Sequence, residues 1–283
     1  MAAALKTQPT SATTGVDLDA YFARIGYGGP RAPTLATLCA LAEHQPASIP
    51  FEAIDVLLGR GVDLDPAAVD AKLLHAHRGG YCFELNGLLL RVLRALGYDI
   101  TGLAARVRWQ LPDDAPTTPR SHMVLKVVVD GEAWLVDAGF GRSTPTTPLN
   151  LRSRAPQRTA HETFRFVDGD RGTVLQVQGG TDWLALYEFD EAPQLDADYA
   201  VYNWHTSTHP DSHFRHTLIV ARAAAEGRYT LRDNRLSVRR GDGTQRVEQL
   251  DAAGIERALV GIFGLAVQPA WRDLIERKAR GEA

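Results

Sequence analysis

Cys82, His122 and Asp137 have the residue types and the chain order of a nucleophilic constellation. A thiolate can attack an acyl carbon, an imidazole can move the protons, and a carboxylate can hold the imidazole and stabilise its charged form. Cys82 lies in Arg78-Gly79-Gly80-Tyr81-Cys82-Phe83-Glu84-Leu85-Asn86, at the start of a strongly amphipathic segment. At a helix start the first N–H groups are unpaired and the dipole is positive, which favours thiolate over thiol. Cys82 also stands three residues before Leu85, so its side chain is expected to turn toward the buried face. Gly79 and Gly80 are expected to leave room for an acyl group to approach. A cysteine at a helix start is more often a small core residue; the residues around this one shift the reading toward chemistry.

The His122–Asp137 relation follows from strand geometry. Asp130-Gly131 between valine-rich runs signals a two-residue hairpin. With those residues as the loop, Val129 opposes Glu132 and His122 opposes Gly139. Side chains alternate along a strand, so residues 135, 137 and 139 share a face with His122. Asp137 is then its diagonal neighbour, roughly 7–8 Å away between backbones, a gap the side chains can bridge. A slip of one residue would put the two on opposite faces. Whether the thiol reaches the imidazole depends on how the helix packs against the sheet.

The positioning elements are legible as changes of period. Asp17 and Thr34 are placed to cap two early helices, the first stopping near Gly26, and Pro66 to Leu74 gives a third. From Cys82 onward, Leu85, Leu88, Leu89, Val92, Leu93 and Leu96 mark one helical face that stops at Gly97. Thr101 to Trp109, Ser121 to Val129, Glu132 to Asp137, Thr163 to Val167, Thr173 to Val177 and Trp183 to Phe189 read as closely spaced strands, an antiparallel sheet or small barrel. Gln110 to Arg120 reads as a loop. Leu218 to Ala221, Arg228 to Leu231 and Leu236 to Arg239 are further strands, followed by a helix capped by Asp251.

The 283 residues are 45% hydrophobic and 23% charged with net charge −3, the balance of a globular protein without a basic footprint for nucleic acid. Two cysteines make no disulfide framework, and Cys39 sits in an apolar helical run as a small core residue. No secretory signal or membrane span is expected, so the reading is cytoplasmic with no membrane partner, and the N-terminal stretch 1–15 reads as a disordered tail. His205, His209, His213 and His216 have metal-like spacing, but Thr206-Ser207-Thr208 and Pro210 argue against a continuous helix, and no Cys or Glu completes a set; a solvated loop without metal is expected.

The chain resembles the arylamine N-acetyltransferase family over nearly its whole length after the tail. Asp19 to Tyr27 is similar to the family's opening helix, and Ile49-Pro50-Phe51-Glu52-Ala53-Ile54-Asp55 to its Pro-Phe-Glu-Asn segment, with Ala53 where Asn is usual. Arg78 to Asn86, Ser121-His122 and Val136-Asp137-Ala138-Gly139-Phe140-Gly141 resemble its triad segments. The resemblance implies an α+β fold with a cysteine-protease-like or transglutaminase-like core: a helical bundle over 16–98, an antiparallel β-barrel over 99–204, and a linker with an α/β lid over 205–283. It implies ping-pong acetyl transfer from acetyl-CoA, through Cys82, to the nitrogen of an arylamine, arylhydrazine or arylhydroxylamine. Phe140, Gly139 and Gly141 would line the acyl and CoA entrance, with Trp109 and Ser121 beside it and His213-Phe214 near the bound CoA. Trp109 and Phe214 read equally well as core aromatics. No phosphate-cradling glycine motif is present, so CoA would occupy an open cleft. Arg78 and Glu52 are expected to form a buried ion pair bracing the active-site turn against the bundle. The alternatives are an amide synthase closing a macrolactam on an aromatic amine, a transglutaminase-like or papain-like cysteine hydrolase, and a non-catalytic binding module.

Overall fold

The computed structural model describes residues 15–112 and 114–282, so all but the last residue of the tail expected over 1–15 lies outside the described residues. The helical part begins with α1 (Leu18–Ile25) and α2 (Leu35–Ser48). Asp17 caps α1 by accepting the Ala20 N–H at 2.9 Å, and Thr34 caps α2 by accepting that of Thr37 at 3.3 Å. Strand β1 (Phe51–Glu52) and α3 (Ile54–Leu57) follow. The helix expected over Pro66 to Leu74 is α4 (Pro66–Asp70), whose last turns widen into a π-helix over Ala71–His75. Helix α5 (Cys82–Ala95) then buries the predicted leucine and valine face.

The middle of the chain forms an antiparallel sheet of eight strands: β2 (Asp99–Val107), β3 (Arg120–Val129), β4 (Glu132–Val136), β5 (Leu149–Asn150), β6 (Gln157–Arg158), β7 (Thr163–Gly169), β8 (Gly172–Gly179) and β9 (Asp182–Phe189). Its order, β5-β4-β3-β2-β9-β8-β7-β6, curls it into a nearly closed barrel. At the seam the Gln157 amide substitutes for a ladder, accepting the Asn150 N–H at 2.7 Å and donating to the Asn150 carbonyl at 3.1 Å. The β3–β4 hairpin has the predicted register, Val129 opposite Glu132, with Asp130 and Gly131 at φ 52° and 79° as a type I′ turn demands. Strand parity divides β3 between two cores. Met123, Leu125, Val127 and Val129 pack under α5, whereas Val124 faces the barrel lumen with Leu103 and Leu135.

Helix α6 (Asp196–Thr208) runs through His205 and Thr206-Ser207-Thr208, where the sequence suggests a loop. Tyr199 and Asn203 anchor it from outside its own sequence pattern: Tyr199 donates to the Leu103 carbonyl at 3.2 Å, and Asn203 accepts from the Tyr81 hydroxyl. Beyond it lie β10 (Ile219–Ala224), β11 (Gly227–Arg232), β12 (Arg235–Arg239), β13 (Gln245–Gln249), α7 (Ala252–Gly261) and α8 (Arg272–Ala279). This α/β lid has its own core, in which Val220, Leu231 and Leu236 meet Ile255, Leu259, Leu274 and Ile275. Cys39 is half-buried rather than fully enclosed. Among the described residues, no helix is long and apolar enough to cross a membrane.

The two-residue β1 joins these parts. Phe51 pairs with Ala221 and Glu52 with Val220 of the lid, while on the other side the Glu52 N–H donates to the Gly80 carbonyl at 2.9 Å. The expected Arg78–Glu52 pair is present: Arg78 Nη2 and Nε reach Glu52 Oε1 at 2.6 and 2.8 Å. It extends beyond the bundle. Nη2 also reaches Asp55 Oδ2 at 2.9 Å, and the guanidinium lies 4.7 Å from the Trp271 ring of the lid. Glu52 is fully buried, so removing its charge strands part of Arg78. Glu52→Gln is expected to lower unfolding free energy by roughly 3 kcal/mol in urea titrations. Asp19→Asn, which breaks the exposed pair with Arg31, should cost less than about 1 kcal/mol. Equal small losses would contradict the bracing role.

Candidate active site

Cys82 occupies the first position of α5, is 2% exposed, and its Sγ lies 3.6 Å from the Ser121 carbonyl of β3. The preceding turn is held by a chain of alternating charges. Glu84 Oε1 meets Lys72 at 2.7 Å, Lys72 meets Asp55 at 3.0 Å, and Asp55 and Glu52 share Arg78. The other Glu84 oxygen accepts the Tyr81 N–H at 3.0 Å, pinning the residue before the cysteine. Burial raises the Glu84 pKa against the opposing pull of Lys72, while Asp55, half-buried, is held low by Lys72 and Arg78 against its own desolvation. Gly79 and Gly80 serve this packing and do not clear an acyl path. A Cβ at Gly79 would lie 2.2 Å from the Pro50 carbonyl, and one at Gly80 would lie 2.9 Å from the Glu84 side chain.

His122 donates from Nε2 to Asp137 Oδ2 at 2.8 Å, with both side chains on the lumen side of the hairpin's open end. The predicted shared face is therefore the barrel interior. The thiol arrives from the helix side of the same sheet, bonded to the Ser121 carbonyl, and lies beside the imidazole at the rim, near enough to influence its protonation. With Nε2 taken by Asp137, Nδ1 is the ring nitrogen left for the thiol. Asp137 has further donors: Tyr187 of β9 at 3.0 Å to Oδ2, and Asn86 Nδ2 at 2.9 Å and the Gly139 N–H at 2.8 Å to Oδ1. Asn86 also donates to the Met123 carbonyl and accepts the Ala138 N–H, so one side chain of α5 grips both strands of the hairpin. Burial of the ring disfavours its charged form, but the charge and hydrogen bond of Asp137, with the Cys82 thiol nearby, outweigh it and raise the His122 pKa to about 10. Burial pushes the Asp137 carboxyl up, yet His122, Asn86 and the Gly139 amide hold it below the usual aspartate value.

The remaining expected positions fall in several places. Gly139 packs against the nucleophile's backbone, where a Cβ would lie 2.8 Å from Cys82 Cα and 2.9 Å from Asn86 Nδ2. Phe140 and Tyr187 cover the imidazole, with ring centroids 5.1 and 4.9 Å from it. Gly141 has φ 79° and lies over the Phe51 ring. Ser121 is half-buried beside Sγ, and Trp109 is half-buried just past β2, stacked under Arg142 at 5.1 Å. Phe214 packs on Tyr81 and Phe51, with His213 stacked upon it at 3.9 Å. His205 and His209 stack on one another at 4.6 Å, and His216 Nε2 lies 2.6 Å from the Pro210 carbonyl. Sequence reasoning passed over Asn86, although its four-residue spacing from Cys82 puts it on the same helical face. Tyr187 carried no local signal, because only barrel closure brings β9 to the hairpin.

Two outcomes follow. His122 is raised in the folded state, so its stabilisation is complete below its unfolded pKa of about 6.5 and is lost as pH rises through about 10. Asp137 is depressed, so its share is present above about 3.9 and fades as pH falls below that. The stability gap between the wild type and Asp137→Asn, from urea titrations, should therefore be widest between about pH 4 and 6.5 and narrower by a few kcal/mol at pH 10. A pH-independent gap would refute the charged pair. Gly139→Ala should cost about 1–3 kcal/mol by overpacking Cys82 and Asn86; an unchanged denaturation midpoint would disprove the close approach.

Comparison with known proteins now bears on this geometry. Residues 34–272 match the N-acetyltransferase family. The chain is 44% identical over 267 residues to an arylamine N-acetyltransferase of Mycobacterium tuberculosis, covering 93% of each. It is 37% identical to the arylamine N-acetyltransferase / N-hydroxyarylamine O-acetyltransferase of Salmonella typhimurium, covering 88% of this chain and 89% of that one. The solved M. tuberculosis structure superposes with TM-score 0.88 at 42% identity, over 92% of this chain and 100% of the other. That of the Mycobacterium marinum enzyme in complex with CoA gives 0.87 at 40% identity, over 93% and 98%. An amphipathic helix opening on a buried cysteine, a hairpin carrying its imidazole and carboxylate, and similarity across nine-tenths of the sequence agree: the chain belongs to the arylamine N-acetyltransferase family of acyltransferases.

Proposed function

We propose that this enzyme moves an acetyl group from acetyl-CoA to the nitrogen of an arylamine, arylhydrazine or arylhydroxylamine, in two half-reactions through an acetyl thioester on Cys82. The carrying observation is the buried series Cys82–His122–Asp137, with Nε2 of the imidazole fixed on Asp137 at 2.8 Å and the thiol held at the Ser121 carbonyl beside the same ring. The family membership and the CoA complex of the M. marinum relative support acetyl-CoA as donor.

In the first half-reaction the Cys82 sulfur, its proton already held by His122 as imidazolium, attacks the acetyl carbonyl. The C–S bond to CoA then breaks, and the departing CoA sulfur takes the proton back from the imidazolium. Asp137 stabilises that imidazolium without itself being protonated. The N–H groups of Cys82 and Phe83 open α5, have no intrahelical partners, and would serve as backbone donors to the tetrahedral oxyanion. In the second half-reaction the acceptor nitrogen attacks the thioester, His122 removes its proton, and the Cys82 sulfur leaves as thiolate. An arylamine is uncharged at neutral pH, so its lone pair is available without prior deprotonation. Tyr187 and Phe140 screen the imidazole from water, which should limit hydrolysis of the acetyl-enzyme.

Mass spectrometry of enzyme mixed with acetyl-CoA should show one acetyl group on Cys82, discharged when an arylamine is added. Cys82→Ser and Cys82→Ala should lose acetyl transfer by at least about three orders of magnitude while retaining the wild-type circular dichroism spectrum. Acetylation at another residue, or substantial turnover by either variant, would overturn the mechanism.

A further inference from the structure

The face of the lid sheet opposite α7 and α8 breaks a rule of strand pairing. Arg228 of β11 stands directly across from Arg239 of β12, and like charges in that position repel. Gln245 of β13 completes the row opposite Arg239, and Thr230 and Ser237 form the row beside it. The alternate residues Leu231 and Leu236 enter the lid core, so these polar side chains share the other face. Arg142, from the loop after β4, closes the cleft, whose recess has a volume of about 10 Å³ and is lined by Arg142, Arg228, Thr230, Ser237, Arg239 and Gln245.

Glu162 compensates for part of the repulsion. One of its oxygens accepts from Arg228 Nε at 2.7 Å, and the other pairs with Arg239. Arg228 Nη2 donates to the Thr144 carbonyl at 2.6 Å. Arg228 is 3% exposed, and among the described residues its Nη1 has no hydrogen-bond partner. A buried, charged, unpartnered donor is costly, and it belongs to a residue that lines an open-sided recess. Three guanidinium groups face a single carboxylate, leaving an excess of positive charge at the cleft. The neighbours register that excess: burial lowers the pKa of Arg142, with Arg239 adding to the effect, and burial followed by Arg228 lowers that of His161. The cleft adjoins the active-site mouth. Arg142 follows Phe140 by two residues, roughly 7 Å of chain, and stacks over Trp109.

We propose that this cleft is a seat for one phosphoryl oxyanion, with a phosphate oxygen entering the recess beside the Arg228 guanidinium, and Arg142, Arg239 and the Gln245 amide holding the oxygens that remain outside. The recess fits one oxygen and not a whole phosphate, so the ligand is a terminal group, either free phosphate or a phosphate ester. Guanidinium forks suit such a dianion better than a monovalent halide. Only the ester source rests on the acetyl-transfer reading, since CoA is itself a phosphate ester.

The test is calorimetric titration of the full chain with inorganic phosphate, at fixed ionic strength set with chloride. Saturable binding is expected for the wild type, weakened at least about tenfold in Ser237→Asp, which places the protein's own carboxylate in the cleft, and in Arg142→Gln. Ser237→Ala, which adds no charge, should stay close to wild type. No saturable binding by the wild type, or equal binding by all forms, would overturn the seat. KM values for acetyl-CoA, its 3′-dephospho form and S-acetylpantetheine then identify the source. A rise in Ser237→Asp confined to phosphate-bearing donors supports the seat as a donor contact. Unchanged KM values, with phosphate binding lost, support a seat for the free anion. Failure of the wild type to acetylate with any donor would refute the acetyl-transfer reading and leave the phosphate titration standing.

Discussion

A carboxylate sealed at the junction of a helix and a barrel must be neutralised or the junction opens. Asp137 is 1% exposed, and an unpaired charge there would cost several kcal/mol. Its oxygens are satisfied by donors from four separate places: Asn86 on α5, His122 on β3, Tyr187 on β9 and the Gly139 amide in its own turn. Each donor fixes its element relative to the others. The requirement to satisfy one buried charge therefore sets the helix height, closes the lumen over the imidazole and chooses the tautomer of His122.

The same logic acts on the other side of the cysteine. Tyr81 and Cys82 are positioned by the charge chain from Glu84 through Lys72 and Asp55 to Arg78 and Glu52, and β1 carries that chain into the lid sheet. Glycine is required where backbones meet at these junctions: Gly79 against Pro50, and Gly139 against Cys82. The glycines around the thiol thus permit close packing between elements, and the space for an acyl group has to come from the aromatic mouth instead. Side-chain volume and buried charge, taken together, leave the thiol few alternative positions.

Much of this was readable in advance where the information is local. The α5 stripe predicted its buried face, Asp17, Thr34 and Asp251 predicted helix starts, and Asp130-Gly131 predicted a register that holds from Val129–Glu132 to Leu125–Val136, where the ladder ends short of His122 and Gly139. The failures share a cause. Strands β1, β5 and β6 have two residues each, too short for any period to emerge. Strand β13 is exposed throughout and shows no apolar alternation. Helix α6 leaves Val201 and Trp204 in solvent and draws its stability from Tyr199 and Asn203, whose partners lie about a hundred residues away.

The amino-acid sequence alone determined the chemical inventory of the site and the pairing of His122 with Asp137, because strand parity and a two-residue turn are properties of neighbouring residues. It also determined that Cys82 opens a helix and faces inward, because helical spacing is local as well. Only the tertiary structure decided that the shared face is the barrel lumen and that the thiol crosses from the helix side to reach it at the rim. It alone recruited Tyr187 and gave Asn86 its role, and it set Arg228 and Arg239 opposite one another beside a carboxylate from the barrel. Those outcomes depend on which distant surfaces can be buried together without leaving a charge or a hydrogen-bond donor unsatisfied, a condition on the whole packed molecule that no window of sequence contains.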